Sequence, residues 1–394
     1  MSIDEIRKNL LKNVKGVHCS VMSDSIITKT GDLIKTPSLD LNRILSGNLF
    51  GGIPSRNLVG ITGPEHTGKS SFAVLCAAEA IRKGYTIIFI DTEGGAKNDF
   101  CKRWGLDISK VLHIYTPWIS KIMSVLASLK ESGDQKMYII LDSVGGIDKY
   151  GSYETALNDD PKADQGQLQR QIRGMLKLFL NICIEQDSIG IVTSHMYGRP
   201  PINGISMPDE VSGGKAMKLF PSILIQLKKT PMKDKEKNII GNTITATTIK
   251  NRHYPPFQSA LISLDYINGI NQYAGILDLG VTAGLVEQSG AWYSYNGERL
   301  GQGAENASKG LSKFPKLLED INKWLMNTGY SNVDNLLKQA EEIVVGTDAF
   351  LPEEETEEQV HYVLGKEGVV DEIPEVEPVV VTKPKRAAKK KVAT

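Results

Sequence analysis

The eight residues Gly63-Pro64-Glu65-His66-Thr67-Gly68-Lys69-Ser70 fit the spacing G-x-x-x-x-G-K-[ST]. That spacing suits the cradling of a polyphosphate. The glycines let backbone N–H groups turn toward phosphate oxygens, and a helix opening at Ser71 adds partial positive charge at its N-terminus. Lys69 reaches for the β- and γ-phosphates and Ser70 for magnesium, so the expected cofactors are ATP and Mg2+. A glycine-rich turn with no ligand is the structural alternative. Three more polar residues follow apolar runs. Asp142 closes Met137-Tyr138-Ile139-Ile140-Leu141, a place from which a carboxylate can support magnesium directly or through water. Glu93 follows Thr86-Ile87-Ile88-Phe89-Ile90 by way of Asp91 and Thr92, and a carboxylate there can orient or deprotonate a water in line with the γ-phosphate. His195 ends Ser188 to Ser194, where its ring can register whether the γ-phosphate is present. Each has a structural alternative: a strand-capping Asp, a solvated turn Glu, a satisfied core His.

These groups need a frame. Leu58-Val59-Gly60-Ile61 reads as a buried strand before the cradle, and Ser71 to Ala80 as an alanine-rich helix after it. With the three runs above, four strands deliver polar residues at their carboxyl ends and helical segments separate them. The expected fold is α/β, a doubly wound and mostly parallel central sheet whose ligands gather beyond those ends. From Met196 to Lys215 the chain has almost no apolar period and carries Gly198, Arg199, Pro200, Pro201, Gly204, Pro208, Gly213 and Gly214. A loop of that length is usually functional, and Arg199 and Lys215 suit phosphates; a disordered surface loop is the alternative. Ile147 to Gln169, with Lys149, Tyr150, Tyr153 and Lys162, is a second such segment. Ile223 to Leu227 and Thr243 to Lys250, joined by the charged Lys233 to Asn238, predict an antiparallel hairpin extending the sheet. Strand alternation would place Lys250 and Arg252 on one face, with Asn251 on the other; a solvated edge is the alternative.

At the N-terminus, Ile6, Leu10, Leu11 and Val14 give an amphipathic helix from Ile3 to about Val14, to be covered by its own domain or by a neighbouring subunit. A short strand is expected around Ser25-Ile26-Ile27, then a loop marked by Gly47, Gly51, Gly52 and Pro54. From about Tyr273 short helices and tight turns, with Trp292-Tyr293-Ser294-Tyr295 and a helix from Phe314 to Leu325, indicate a small second α/β domain. After Leu351 an acidic and then basic stretch reads as a disordered tail. The expected division is 1–35 as an N-terminal subunit-docking extension, 36–271 as the ATPase core with its two long segments, 272–350 as the small domain and 351–394 as the tail. The 46 basic residues cancel the 46 acidic ones over the 394-residue chain, so any basic surface is local. Cys19, Cys76, Cys101 and Cys183 contain no C-x-x-C pair and read as reduced, buried thiols. The lack of a long apolar run and the polar start predict a cytoplasmic protein with no membrane partner.

From about Thr36 to Asn327 the chain resembles the RecA-type homologous recombinases, and bacterial RecA more than its other relatives. The resemblance is carried by the cradle, Asp91-Thr92-Glu93, Asp142-Ser143-Val144, Gly213-Gly214 and Lys250-Asn251-Arg252. It continues in Leu277-Asp278-Leu279-Gly280, Gly290-Ala291-Trp292-Tyr293-Ser294-Tyr295 and Gly301-Gln302-Gly303. The last group has no general nucleotide-binding role, which makes it specific. Departures at the ends and at several site positions fit a viral or otherwise diverged member.

The resemblance implies a DNA-dependent ATPase that forms a homo-oligomeric helical filament on single-stranded DNA. It would pair that DNA with double-stranded DNA and exchange strands in recombination, repair and the SOS response to DNA damage, with loader or single-strand-binding proteins as further partners. It implies that Glu93 activates water, that Lys250 and Arg252 reach the γ-phosphate from the next subunit, and that Tyr266 lies on the adenine side. Phe100 joins the nucleotide-binding set, and Arg170, Arg199, Gly213, Gly214 and Lys215 the DNA-binding set. His195 stands where bacterial RecA has Gln, and Lys97 where it has an acidic residue near the base, which leaves base contact and nucleotide preference open. The competing readings are a hexameric replicative helicase with the same core and an ATP-binding protein that coats DNA without useful turnover.

Overall fold

The computed structural model describes residues 2–328 apart from 26, 30, 134, 150–164, 198–209 and 235. Tyr150, Tyr153, Lys162, Arg199 and the tail therefore lie outside the described residues. The strands are β1 (Leu33–Ile34), β2 (Ile53–Pro54), β3 (Asn57–Gly63), β4 (Thr86–Asp91), β5 (Val111–Tyr115), β6 (Met137–Asp142), β7 (Ile189–Tyr197) and β8 (Glu210–Val211), followed by β9 (Ile223–Lys233), β10 (Ile239–Asn251), β11 (Ser259–Asp265), β12 (Gly269–Asn271), β13 (Glu287–Ser289), β14 (Trp292–Tyr295) and β15 (Glu298–Gln302). The central sheet runs β12-β11-β10-β9-β3-β7-β6-β4-β5, with β8 paired to β7. From β9 to β5 neighbours are parallel, and from β9 to β12 they are antiparallel.

Both faces of the parallel part are covered, which is why its strands are continuous apolar runs instead of alternating ones. On one face the helix Lys69–Arg82 presents Ala73, Ala77 and Ala80, small enough to bring it close to Ile61, Ile87 and Ile140. On the other, the helices Ile119–Glu131 and Gln165–Glu185 pack Ile122, Leu126, Met175 and Phe179 against Leu58, Ile139 and Val192. Gly190 permits that approach, since a Cβ there would meet Leu58 and Phe179 at 2.7 Å. Each aliphatic side chain so buried contributes roughly 1.5–3 kcal/mol. The register that results is the functionally decisive feature. It sets Asp91 opposite Asp142 and Gly63 opposite His195, so the polar strand ends finish on one level.

The predicted hairpin is present as β9 and β10. The predicted strand at Ser25 to Ile27 is not: Ser25 N donates to Met22 O at 3.3 Å and Thr28 N to Ser25 O at 3.2 Å, so the described residues turn there. Ser23, Asp24 and Ser25 favour turns, and the apolar residues beside them are too few to hold a strand. The first strand is Leu33–Ile34, antiparallel to β2. Between Ser38 and Gly47, expected as an approach to a loop, lies the helix Leu39–Ser46, with Ser38 as N-cap and Gly47 at φ 73° as C-cap. Cys76, Cys101 and Cys183 are buried free thiols, whereas Cys19 is only partly covered.

The N-terminal helix Ile3–Asn13 carries a capping box between Ser2 and Glu5 and buries none of its residues. Ile3 is 69% exposed, and Ile6, Leu10 and Leu11 are 45 to 47% exposed. At the other end, β13, β14 and β15 form an antiparallel sheet with their own apolar cluster around Ile276, Tyr293, Leu311, Leu317 and Ile321, backed by the helix 315–328. Tyr295 donates to Asp320 at 3.0 Å, and Asn322 accepts from the Leu49 amide at 2.8 Å.

Candidate functional site

The cradle follows β3 directly and closes on itself. Gly68 caps the helix Lys69–Arg82 at φ 89°, and His66 sits at φ 57°. Thr67 Oγ1 donates to Pro64 O at 2.8 Å. Gly63 has no room for a side chain, since a Cβ would meet Leu227 O at 2.7 Å and Thr67 Oγ1 at 2.9 Å. Lys69 is 6% exposed, and its Nζ donates to Gly63 O at 3.1 Å and Pro64 O at 2.8 Å across the loop. Burial pushes its pKa down, against the opposing charges of Asp142, Glu93 and Glu65.

In front of the loop lies a cleft of about 560 Å³ lined by Glu65, His66, Gly68, Lys69, Ser70, Ser71, Glu93, Phe100, Asp142, Gly145, His195 and Tyr197. A separate cleft of about 610 Å³ lies near Asp265, Asn268 and Lys309 and is lined by none of Lys69, Glu93, Asp142 and His195. Burial raises the Asp142 pKa, offset in part by hydrogen bonds from Thr193 and Ser70. A carboxylate and a hydroxyl suit magnesium, a hard cation that completes its shell with phosphate oxygens and water. No cluster of three or more His, Cys, Asp or Glu ligands occurs among the described residues, and such a site needs none.

Glu93 is 44% exposed on its side chain, yet it is not a free turn residue. Its Oε1 accepts from Ser143 Oγ and faces His195 Nε2 at 3.4 Å. The other ring nitrogen, His195 Nδ1, is buried without a hydrogen-bond partner. Behind Glu93, Thr92 Oγ1 both donates to Ser143 O and accepts from Ser143 N at 2.8 Å. Burial alone would raise the Asp91 pKa, but hydrogen bonds from the Ala96 amide, His113 and the Gly94 and Glu93 amides outweigh it and hold the carboxyl below its ordinary value. Asp91, Thr92, Ser143 and Thr193 were not singled out from the sequence as acting on the site. Their polar type at buried strand ends was visible, their partners were not.

The strand carrying His195 is hydrogen-bonded to the far end of the long loop. Ser212 N donates to His195 O at 2.9 Å, Ser194 Oγ donates to Ser212 O at 2.8 Å, and β7 pairs with β8. Gly213, at φ 81°, then packs between Val144 and Met217, and Gly214 opens the short helix Gly214–Leu219. Lys215 and Arg170 are exposed near that end of the loop, Arg170 on the helix Gln165–Glu185. Lys250 lies near the end of β10, and Arg252 falls just past it. The Lys250 ammonium donates to Leu219 O at 2.6 Å and Lys218 O at 3.3 Å, while Asn251 points back to Ile44 O and Leu45 O, both at 3.0 Å. Neither Lys250, Arg252 nor Tyr266 lines the cleft of its own subunit. Tyr266 is 61% exposed in a turn after β11, accepting from Asn242 Nδ2 at 2.7 Å. Lys97 N-caps the helix Asn98–Arg103, which brings Phe100 to the cleft.

A phosphate cradle at the head of a parallel sheet, a carboxylate beside its Ser, and a second carboxylate facing a strand-end His define a nucleotide-hydrolase core of the RecA type. The RecA N-terminal domain matches residues 5–271 and the RecA C-terminal domain residues 274–330. Protein RecA of Rickettsia bellii (strain RML369-C) is 31% identical over 320 residues, covering 78% of this chain and 90% of the relative. Protein RecA of Thioalkalivibrio sulfidiphilus (strain HL-EbGR7) is 29% identical over 306 residues, covering 77% and 86%. The chain belongs to the RecA family and is a RecA-type recombinase. Members of that family are DNA-dependent ATPases that use ATP with magnesium, bind DNA and form filaments. No helix among the described residues is long and apolar enough to cross a membrane.

Proposed function

We propose that this chain hydrolyses ATP to ADP and phosphate as a cytoplasmic filament of its own copies on single-stranded DNA, and that it pairs that DNA with a homologous duplex. The observation that supports this best is the meeting of Lys69, Ser70, Asp142, Glu93 and His195 in one cleft whose His195 strand is hydrogen-bonded to Ser212 at the end of the long loop. Ser70 and Asp142 would hold magnesium, which neutralises phosphate charge. Cradle amides and Lys69 bind the phosphates, Phe100 flanks the base, and Glu93 orients and deprotonates the attacking water. His195 takes the sensor position, and Arg170, Arg199, Gly213, Gly214 and Lys215 engage DNA. Lys250 and Arg252 serve the neighbouring subunit's γ-phosphate, and Tyr266 its adenine, in keeping with their positions outside their own cleft.

The functional division is 1–35 for docking, 36–271 for ATPase and DNA binding, 272–350 for the small domain, and 351–394 for the tail. The uncovered stripe of Ile3, Ile6, Leu10 and Leu11 fits docking on a neighbouring copy. ATP turnover with and without single-stranded DNA, read beside electron micrographs with a slowly hydrolysed analogue, tests the proposal. DNA-stimulated turnover and continuous filaments are expected. Filaments without turnover would instead mean a coating protein, and closed rings a helicase.

A further inference from the structure

Asp91 ends β4 with 2% of its surface exposed, and its carboxylate is surrounded by donors. Oδ1 accepts from the amides of Glu93 at 3.0 Å, Gly94 at 2.7 Å and Gly95 at 3.3 Å, and Oδ2 accepts from Ala96 at 3.0 Å. Four consecutive N–H groups thus converge on one internal anion, as they would on a bound phosphate in an anion-binding turn. His113 Nε2, on the adjoining β5, faces Oδ2 at 3.3 Å. The turn starts from a fixed base, because Thr92 N donates to Asp142 O at 2.9 Å and Thr92 Oγ1 is clamped to the Ser143 backbone. Glu93 projects from this turn with its side chain 44% exposed and its Oε1 accepting from Ser143 Oγ, so the backbone of the turn together with that hydrogen bond, more than packing, sets where its carboxylate lies.

We propose that Asp91 is a positioning residue for catalysis: by holding the amides of residues 93–96 it fixes the turn that aims Glu93 at the attacking water. The inference rests on the reading of Glu93 as the water-activating residue. Charge and two-sided acceptance are both required of the side chain. An Asn of the same shape can accept on one side only and would turn an NH2 group toward amide donors on the other, leaving either Ala96 or the three amides before it unsatisfied. The turn would then sample other arrangements while the cradle, on a different strand, stays as it is.

The test compares Asp91→Asn, Glu93→Gln and the double variant in the full-length protein with saturating single-stranded DNA, together with hydrogen exchange at residues 93–96. Displacement of a reacting group by about 1 Å is enough to lower kcat about 10- to 100-fold, while KM for ATP should stay within about threefold. Exchange at residues 93–96 should quicken in the same variant. In the Glu93→Gln background, Asp91→Asn should lower kcat by less than about twofold more, since its effect passes through Glu93. An equal further loss in that background, a fall in kcat/KM carried by KM, or quickened exchange with unchanged kcat would overturn the proposal. Should Asp91→Asn not fold, Gly94→Ala strains the same turn at φ 70° without altering the carboxylate, and wild-type kcat with quickened exchange in that variant would equally overturn it. Wild-type turnover by Glu93→Gln alone would refute the reading of Glu93 itself, and with it the inference.

Discussion

Replacing Gly213 with Ala tests whether the end of the long loop must lock onto the nucleotide core for DNA to bind. Gly213 sits at φ 81°, a conformation that costs an L-residue about 1–2 kcal/mol. A Cβ would also lie 2.8 Å from Val144 Cγ1 and 2.9 Å from Met217 Cγ. Those neighbours are 3% and 0% exposed, so neither can swing into solvent, and overpacking of this kind adds about 1–3 kcal/mol. The sum is roughly 2–5 kcal/mol set against the locked arrangement. Gly214 is the internal control, because its φ is 59° and its Cβ would meet only Gln169 Oε1 at 3.5 Å, leaving about 1 kcal/mol of backbone strain. If DNA binding requires the locked loop end, Gly213→Ala should raise the Kd for single-stranded DNA about 30-fold or more, and Gly214→Ala about fivefold. Fluorescence anisotropy with a labelled oligonucleotide and a slowly hydrolysed ATP analogue, at one stated salt concentration, measures both. Equal losses in the two variants, or no loss in Gly213→Ala, would refute the reasoning.

Lys69→Ala removes the point charge of the cradle and should lower ATP turnover at least about 100-fold, measured by phosphate release. Lys250→Ala with Arg252→Ala should leave ATP binding to isolated subunits within about threefold while abolishing DNA-stimulated hydrolysis. Mixing that variant with Lys69→Ala should restore part of the hydrolysis, because some mixed interfaces pair an intact Lys69 with an intact clamp; mixed filaments with no recovery would count against action in trans. The acid limb of stability should flatten in Lys136→Met. Lys136 Nζ bridges Asp32 Oδ2 and Asp187 Oδ2, each at 2.7 Å, and hydrogen bonding by Lys136 holds the Asp32 pKa below its ordinary value. A carboxyl with a depressed folded pKa adds stability above its unfolded value near 4 and loses it as pH falls through the folded pKa. Because these groups are partly exposed, the loss at pH 7 should be only about 1 kcal/mol or less, and urea melts should show the two proteins converging below about pH 4.

Much of this molecule was legible in the residues taken in order. The cradle, the four polar-tipped apolar runs and the charged turn between β9 and β10 all depend on local patterns, since a short apolar run rich in β-branched residues and bounded by turn residues reads as a strand buried on both sides. The N-terminal helix announced itself in the same way through Ile6, Leu10 and Leu11. The edge strand β5 did not, because Leu112, His113 and Tyr115 on it are exposed and mix polar with apolar character. The helix Leu39–Ser46 was hidden behind the glycines that follow it, although one of them, Gly47, is its cap. What the tertiary structure alone decided is how groups far apart in the chain meet. Thr92 and Ser143 lie 51 residues apart and exchange two hydrogen bonds, and Lys250 finds the Leu219 carbonyl 31 residues before it. Asp91 shows the division most plainly: its acidic type at a strand end was readable from the sequence, but only the fold buries the carboxylate and turns four amides onto it. Local pattern records which residues leave water, whereas the partner a buried polar group finds depends on strand order and register, which no short window of sequence contains.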